Sequence, residues 1–142
     1  MNKKDLIREA FLAREKSYSP YSNFSVGAAL LASNGTVYGG CNIENASYTP
    51  TNCAERTAFF KAISEGVTTF DSIVIVGGKK GKVVSYCAPC GVCRQVMMEF
   101  CDPKKFKIIL AKSEEEYKEF TLEEMLPLGF GPGELLDEST KQ

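Results

Sequence analysis

Two short runs carry the reactive residues of this chain: Cys53-Ala54-Glu55 and, further on, Pro89-Cys90-Gly91-Val92-Cys93. Three thiolates can hold one transition-metal ion. A zinc ion with three protein ligands keeps a fourth position open for water, the arrangement of a catalytic rather than a structural centre. Glu55, two residues past the first cysteine, is a carboxylate that can move protons at such a water without binding the ion. The chain contains no histidine, which excludes Ser-His-Asp and Cys-His nucleophilic machinery and any imidazole ligand. A zinc ion on three thiolates is formally anionic and needs compensating positive charge. Arg56 is the first candidate and Arg94 the second, with backbone N–H groups in the first turns of two helices as a further source.

Each of these residues has a plainer reading. An isolated cysteine is most often a small buried hydrophobe, and Cys41 and Cys101 read that way. Cys-x-x-Cys at a helix start weakens that reading for Cys90 and Cys93, because the spacing lets two sulfurs converge on one ion. Cys87 lengthens the run to Cys-x-x-Cys-x-x-Cys and raises an iron–sulfur alternative. Ferredoxin spacing wants a fourth cysteine three residues on, followed by proline; here the next is Cys101, followed by Asp102. Asn52-Cys53-Ala54-Glu55 also fits a capping box, with Asn52 as N-cap and Glu55 reaching back. Residues two apart do not share a helix face, so Cys53 and Glu55 can serve one ion only if Cys53 projects off the helix end.

The elements that must position these groups follow from periodicity. Leu6, Ile7, Ala10, Phe11 and Ala13 form an apolar stripe at helical spacing that ends before Ser17-Tyr18-Ser19-Pro20. Residues 24–33 read as a buried strand, Asn34-Gly35 as a tight hairpin turn and 36–41 as the returning strand. Gly27 within the first strand predicts a close approach by whatever packs over it. A polar loop over 42–52 leads to a helix over 53–65, closed by Gly66. A β-branched run at 72–76 fits a central strand, Lys79-Lys80-Gly81-Lys82 a solvated turn, and a second helix is expected over 90–100. A strand at 106–111, an edge strand at 117–121 and a short helix at 122–126 complete the pattern. The order predicts an α/β fold, a three-layer α/β/α sandwich with a mixed central sheet of about five strands. A single domain is expected over 1–136, with a polar, loosely ordered tail at 137–142.

Composition narrows the partners. A length of 142 residues with 44% hydrophobic and 25% charged residues fits one globular domain with a sizeable core. The net charge of −1 gives no electrostatic reason to expect nucleic acid. Met1-Asn2-Lys3-Lys4-Asp5 has no apolar run after its lysines, so no signal peptide is expected. The apolar stretches fall short of the ~20 residues that span a membrane. Cytoplasmic location with reduced cysteines is the expectation.

Cys-x-Glu followed after a gap by Pro-Cys-x-x-Cys is the signature of zinc nucleobase deaminases, and the chain resembles the cytidine deaminase family, specifically its small, homotetrameric, three-cysteine branch. The resemblance runs through Ser19-Pro20-Tyr21-Ser22, Val26-Gly27-Ala28-Ala29, Cys41-Asn42-Ile43-Glu44-Asn45-Ala46-Ser47-Tyr48, 52–58, 89–95 and Leu126-Pro127-Leu128-Gly129-Phe130. It implies one zinc ion per chain on Cys53, Cys90 and Cys93, Glu55 as the catalytic proton carrier and Arg56 as hydrogen-bond donor to the sulfurs. It further implies Phe24 against the pyrimidine, Asn42 and Glu44 on the ribose 3′-hydroxyl, Ala46 on the base through its backbone, and Tyr48 among the substrate contacts. Phe130 would reach a neighbouring subunit's pocket, in a homotetramer whose sites are completed by neighbours. The implied reaction is hydrolytic deamination of cytidine and 2′-deoxycytidine in pyrimidine salvage. The residues themselves add that alternate positions of an extended segment share a side, so Asn42 and Glu44 can act together; a chance polar loop is the alternative. A blasticidin-type or polynucleotide deaminase and a non-catalytic zinc or iron–sulfur module are the competing readings.

Overall fold

The computed structural model describes residues 1–136; the segment 137–142, expected to be loosely ordered, lies outside the described residues. The chain runs α1 (Lys3–Arg14), β1 (Phe24–Ala32), β2 (Val37–Cys41), α2 (Ala54–Ser64), β3 (Phe70–Lys79), α3 (Gly91–Phe100), β4 (Lys107–Ala111), β5 (Tyr117–Thr121) and α4 (Leu122–Met125), then a 3₁₀ turn at Pro132–Glu134. The strands pair in the order β2-β1-β3-β4-β5. Among the described strands only β3 and β4 pair in parallel, and α3 supplies the crossover that parallel neighbours require.

Strand residues of opposite parity are buried in two separate clusters, which makes the sheet the middle of three layers. Ala28, Leu30, Ile73, Ile75, Ile108 and Leu110 pack with Ala58, Phe59 and Ala62 of α2 and Met97 of α3. Ala29, Val74, Val76, Ile109 and Ala111 pack instead with Leu6, Ile7 and Ala10 of α1. The expected α/β/α sandwich on a mixed five-stranded sheet is the observed one, and its alternation is the simple consequence of side chains pointing to opposite faces along a strand.

Two glycines set how closely the helices approach. A Cβ on Gly27 would lie 2.2 Å from the Ala10 carbonyl oxygen of α1, the close approach expected there. A Cβ on Gly40 would lie 2.3 Å from the Ala54 carbonyl oxygen and 2.6 Å from the Ala58 nitrogen of α2. The start of α2 is therefore pressed against β2 backbone to backbone.

Several boundaries differ from the sequence reading. β3 extends from Phe70 to Lys79, well beyond 72–76, because Gly77 and Gly78 continue the ladder opposite Val26 and Ser25. A Cβ on Gly77 would sit 2.8 Å from the Cys87 Sγ, so the glycine that resembles a break instead makes room for a cysteine. Lys79 is accordingly a strand residue, not part of a solvated turn. Arg14, at the end of α1, fixes this corner: its guanidinium donates to the carbonyls of Ser25 (2.9 Å), Gly78 (3.0 Å), Lys79 (2.8 Å) and Gly81 (3.1 Å). Finally, α2 begins at Ala54 with Cys53 as its N-cap, one residue later than the capping box requires.

Candidate active site

Two helices begin on a cysteine. Cys53 is the N-cap of α2 and Cys90 the N-cap of α3; both have extended backbone and neither side chain makes a capping hydrogen bond. Their sulfurs are thus left to meet off the helix ends, where backbone N–H groups favour a thiolate. Cys93, one turn into α3, is fully buried. The three sulfurs all lie within 4.8 Å of one another, with Cys53 and Cys90 3.8 Å apart and Cys90 and Cys93 3.5 Å apart.

The chemistry of this donor set fits a divalent cation. Hydrogen bonds from Cys93 and Arg56 hold the Cys53 thiol well below its ordinary value, whereas the bond to Cys53, together with burial, drives Cys93 far up. Three sulfurs this close cannot all be anionic by themselves. A divalent ion at their centre replaces the shared protons and removes the conflict. Arg56 Nη2 donates to the Cys53 Sγ at 3.2 Å, and this bond raises the Arg56 pKa. Its Nε is buried without a hydrogen-bond partner among the described residues. Cys87 stands apart from the cluster, packed over Gly77 with its thiol pushed up to about 11, chiefly by burial. Replacing Arg56 by Ala should weaken metal retention or turnover by about 10–100-fold, the usual loss when a ligand's hydrogen-bond partner goes. Competition with a chelator and a rate assay would both read it, and unchanged values in both would leave Arg56 with packing alone.

Glu55 is the second residue of α2 and only 4% exposed. It does not close a capping box, because Asn52 lies outside the cap and spends its Nδ2 on Thr57 Oγ1 at 3.1 Å. Burial pushes the Glu55 carboxyl up to about 7, and the charge on Cys53 pushes the same way. A buried acid titrating near neutrality beside three converging sulfurs is suited to taking and returning a proton.

The loop 42–52 is closed by a short bridge in which Ile43 and Asn52 exchange backbone hydrogen bonds of 2.9 Å, and the Glu44 N–H donates to the Tyr18 carbonyl at 2.9 Å. Asn42 and Glu44 are thereby held beside the segment 17–22. The Asn42 Oδ1 accepts from the Val26 N–H at 3.0 Å and from the Ser17 hydroxyl, and its Nδ2 donates to the Phe24 carbonyl at 2.8 Å. Glu44 accepts from the N–H groups of Tyr21 (2.9 Å) and Ser22 (3.1 Å) and from the Ser22 hydroxyl. A cleft of about 400 Å³ opens here, lined by Tyr21, Ser22, Glu44, Asn45, Tyr48 and Thr51. Tyr48 stands edge-on to Tyr21 at 6.4 Å and occupies left-handed backbone at φ 64°, a costly conformation for a bulky residue. Phe24, at the start of β1, and Ala46, within the loop, are exposed. Phe130 lies past α4 with its ring exposed and its carbonyl held by Gln95 Nε2 at 2.7 Å. The serine contacts on Asn42 and Glu44 were not singled out from sequence; Ser22 lies within the quoted Ser19-Pro20-Tyr21-Ser22 run, but only the fold reveals what it touches.

Residues 1–110 match the family model described as the cytidine and deoxycytidylate deaminase zinc-binding region. Among curated proteins, a cytidine deaminase of Sporosarcina psychrophila is 48% identical over 135 residues, covering 95% of this chain and 96% of that protein. One from Halalkalibacterium halodurans is 49% identical over 137 residues, covering 96% and 100%. Among solved structures, the cytidine deaminase of Burkholderia pseudomallei superposes with a TM-score of 0.82 at 45% identity, covering 92% of this chain and all (100%) of that one.

Proposed function

The chain belongs to the cytidine and deoxycytidylate deaminase family and deaminates cytidine; we propose that it does so by hydrolysis, on cytidine and 2′-deoxycytidine alike, yielding the uridine nucleoside and ammonia. The observation that carries the residue assignment is the convergence of three sulfurs at two helix starts with one buried carboxylate on the same first turn. Cys53, Cys90 and Cys93 would hold one zinc ion, which when bound supplies an activated water by lowering its pKa from ~15.7 toward ~7. Glu55 takes a proton from the attacking water and gives it to N3 of the pyrimidine; it then takes the second proton from the new hydroxyl at C4, which becomes the carbonyl, and passes it to the amino group, which leaves as ammonia. One carboxylate serves as base and then acid, so no second is needed. Arg56 holds the Cys53 sulfur in place and balances its charge.

On the substrate side, Phe24 lies against the pyrimidine, Ala46 meets the base through its backbone, Asn42 and Glu44 take the ribose 3′-hydroxyl, and Tyr48 walls the cleft. Cys90, Phe24, Tyr48 and Phe130 are all exposed in one chain, and apolar side chains left open in this way support closure by neighbouring copies. The assembly proposed is a homotetramer, with Phe130 reaching the next subunit's site. A single domain over 1–136, a cytoplasmic location and a place in pyrimidine salvage complete the reading. Among the described residues no helix is long and apolar enough to cross a membrane.

The test joins metal content with substrate range. Elemental analysis should find about one zinc per chain, and the ultraviolet absorbance change from cytidine to uridine should follow turnover. Free nucleoside should react, whereas cytosine within single-stranded DNA or RNA should not, since a chain of net charge −1 has little to neutralise phosphates and Glu44 repels a 3′-phosphate. Iron with visible charge-transfer absorption, or reaction on the polynucleotide alone, would sink the proposal.

A further inference from the structure

Ser22 joins the two halves of the substrate site through one hydroxyl. Its Oγ accepts from the Phe24 N–H at 3.0 Å and donates to Glu44 Oε2. The carboxylate fixes which way the hydroxyl proton points, because an ionised carboxyl can only accept, and the serine oxygen keeps its lone pairs for the Phe24 N–H. Asn23, between them, makes the fold-back possible with φ 59°, a left-handed conformation that asparagine tolerates better than most residues. That turn is pinned from both sides, by the Asn23 N–H on the Ser19 carbonyl at 3.0 Å and by the Lys80 N–H on the Asn23 carbonyl at 3.1 Å.

The donors on Glu44 leave little choice of direction. A carboxylate offers about four lone-pair sites. Oε1 receives the Tyr21 and Ser22 N–H groups and Oε2 the Ser22 hydroxyl, which leaves one site, on Oε2. The Ser22 bond also leads the causes holding the Glu44 carboxyl below its ordinary value, so the group stays anionic. Asn42 cannot share the accepting role, since its Oδ1 is occupied by Val26 and Ser17 and its Nδ2 keeps only one free N–H.

We propose that Ser22 is the positioning residue that aims Glu44 Oε2 at the sugar 3′-hydroxyl and locks it to the base-facing Phe24, so that the hydroxyl accepts from Asn42 and donates to Glu44. This rests on the reading of Glu44 as the ribose ligand.

The experiment compares kcat and KM for cytidine and 3′-deoxycytidine in the zinc-loaded wild type and in the S22A, S22T and E44Q variants. A hydrogen bond to a charged group carries roughly a tenfold effect or more. S22A should raise KM for cytidine about tenfold, with kcat nearly kept, and change 3′-deoxycytidine by no more than about twofold. S22T, which retains the hydroxyl, should restore most of the preference for the 3′-hydroxyl. Equal losses on both substrates in S22A would make Ser22 a general support of the fold and overturn the proposal. So would a wild-type preference in S22A while E44Q abolishes it, which leaves Glu44 on the ribose but takes Ser22 away from it. Should E44Q itself keep the wild-type preference, the ribose reading and the proposal fall together. Turnover of 3′-deoxycytidine in each variant reports that the protein is folded and loaded.

Discussion

Replacing Glu55 by Gln should lower turnover by about 10³-fold or more while the metal content stays at about one ion per chain. The amide has the shape of the acid and fits the same buried place, so packing and substrate affinity survive. What it cannot do is accept a proton from water and hand it to the pyrimidine and then to the amine. A residue serving both transfers belongs at the upper end of the range for general acid–base groups. Stability should move the other way. Burial raises the carboxyl from 4.5 to about 7, so in the metal-free protein folding favours the protonated form. This group therefore takes stability away as the pH climbs from the unfolded value through about 7, and holds none of it back below 4.5. The neutral amide escapes that cost, and the metal-free variant should melt no lower than the metal-free parent at pH 7. Activity within a few-fold of wild type would reduce Glu55 to a buried support of α2.

Loss of a cysteine proposed to hold the metal should be as severe for activity, and the choice of cysteine separates chemistry from folding. Cys90 is exposed and Cys93 fully buried. Cys90→Ala and Cys93→Ala should each drop zinc content from about one ion to a small fraction and cut turnover by at least ~10³-fold, because the water is no longer activated. Their metal-free forms should differ. Cys90→Ala leaves no cavity and should melt with the metal-free parent. Cys93→Ala removes a packed atom from the core and should cost about 1 kcal/mol, a few degrees in Tm. Full zinc retention by either variant, measured after dialysis against a chelator, would remove that cysteine from the ligand set.

The contrast between these two cysteines also shows what was readable from the chain alone. Cys90-Gly91-Val92-Cys93 announces both a helix start and a pair of convergent sulfurs, because i and i+3 share a face, and α3 begins there as expected. The hairpin, the edge strand β5 and α1 were equally legible, since each rests on periodicity or turn chemistry within a few residues. Glu55 was ambiguous for a local reason. A capping box and a catalytic turn contain the same letters, and the one-residue difference in where α2 begins removes the capping box. The extension of β3 through Gly77 and Gly78 could not be read because glycine gives no propensity signal; the need for it comes from Cys87, across a loop. The clamp of Arg14 on four carbonyls and the seat of Glu44 on Ser22 are products of long-range placement, and side chains of such ordinary types carry no mark of it.

Gly40 has no reactive group and lies within β2. The space a methyl group would need at that position is already filled by the Ala54 carbonyl oxygen, and Ala54 is the residue between Cys53 and Glu55. In a library of variants, or along a lineage of drifting sequences, this position behaves as a hidden constraint on the reaction. A single added carbon there would push the first turn of α2 off the sheet and carry Cys53 and Glu55 away together. Substitutions at Gly40 should therefore disappear under selection for activity well before they disappear under selection for solubility, and a screen that scored expression alone would miss them.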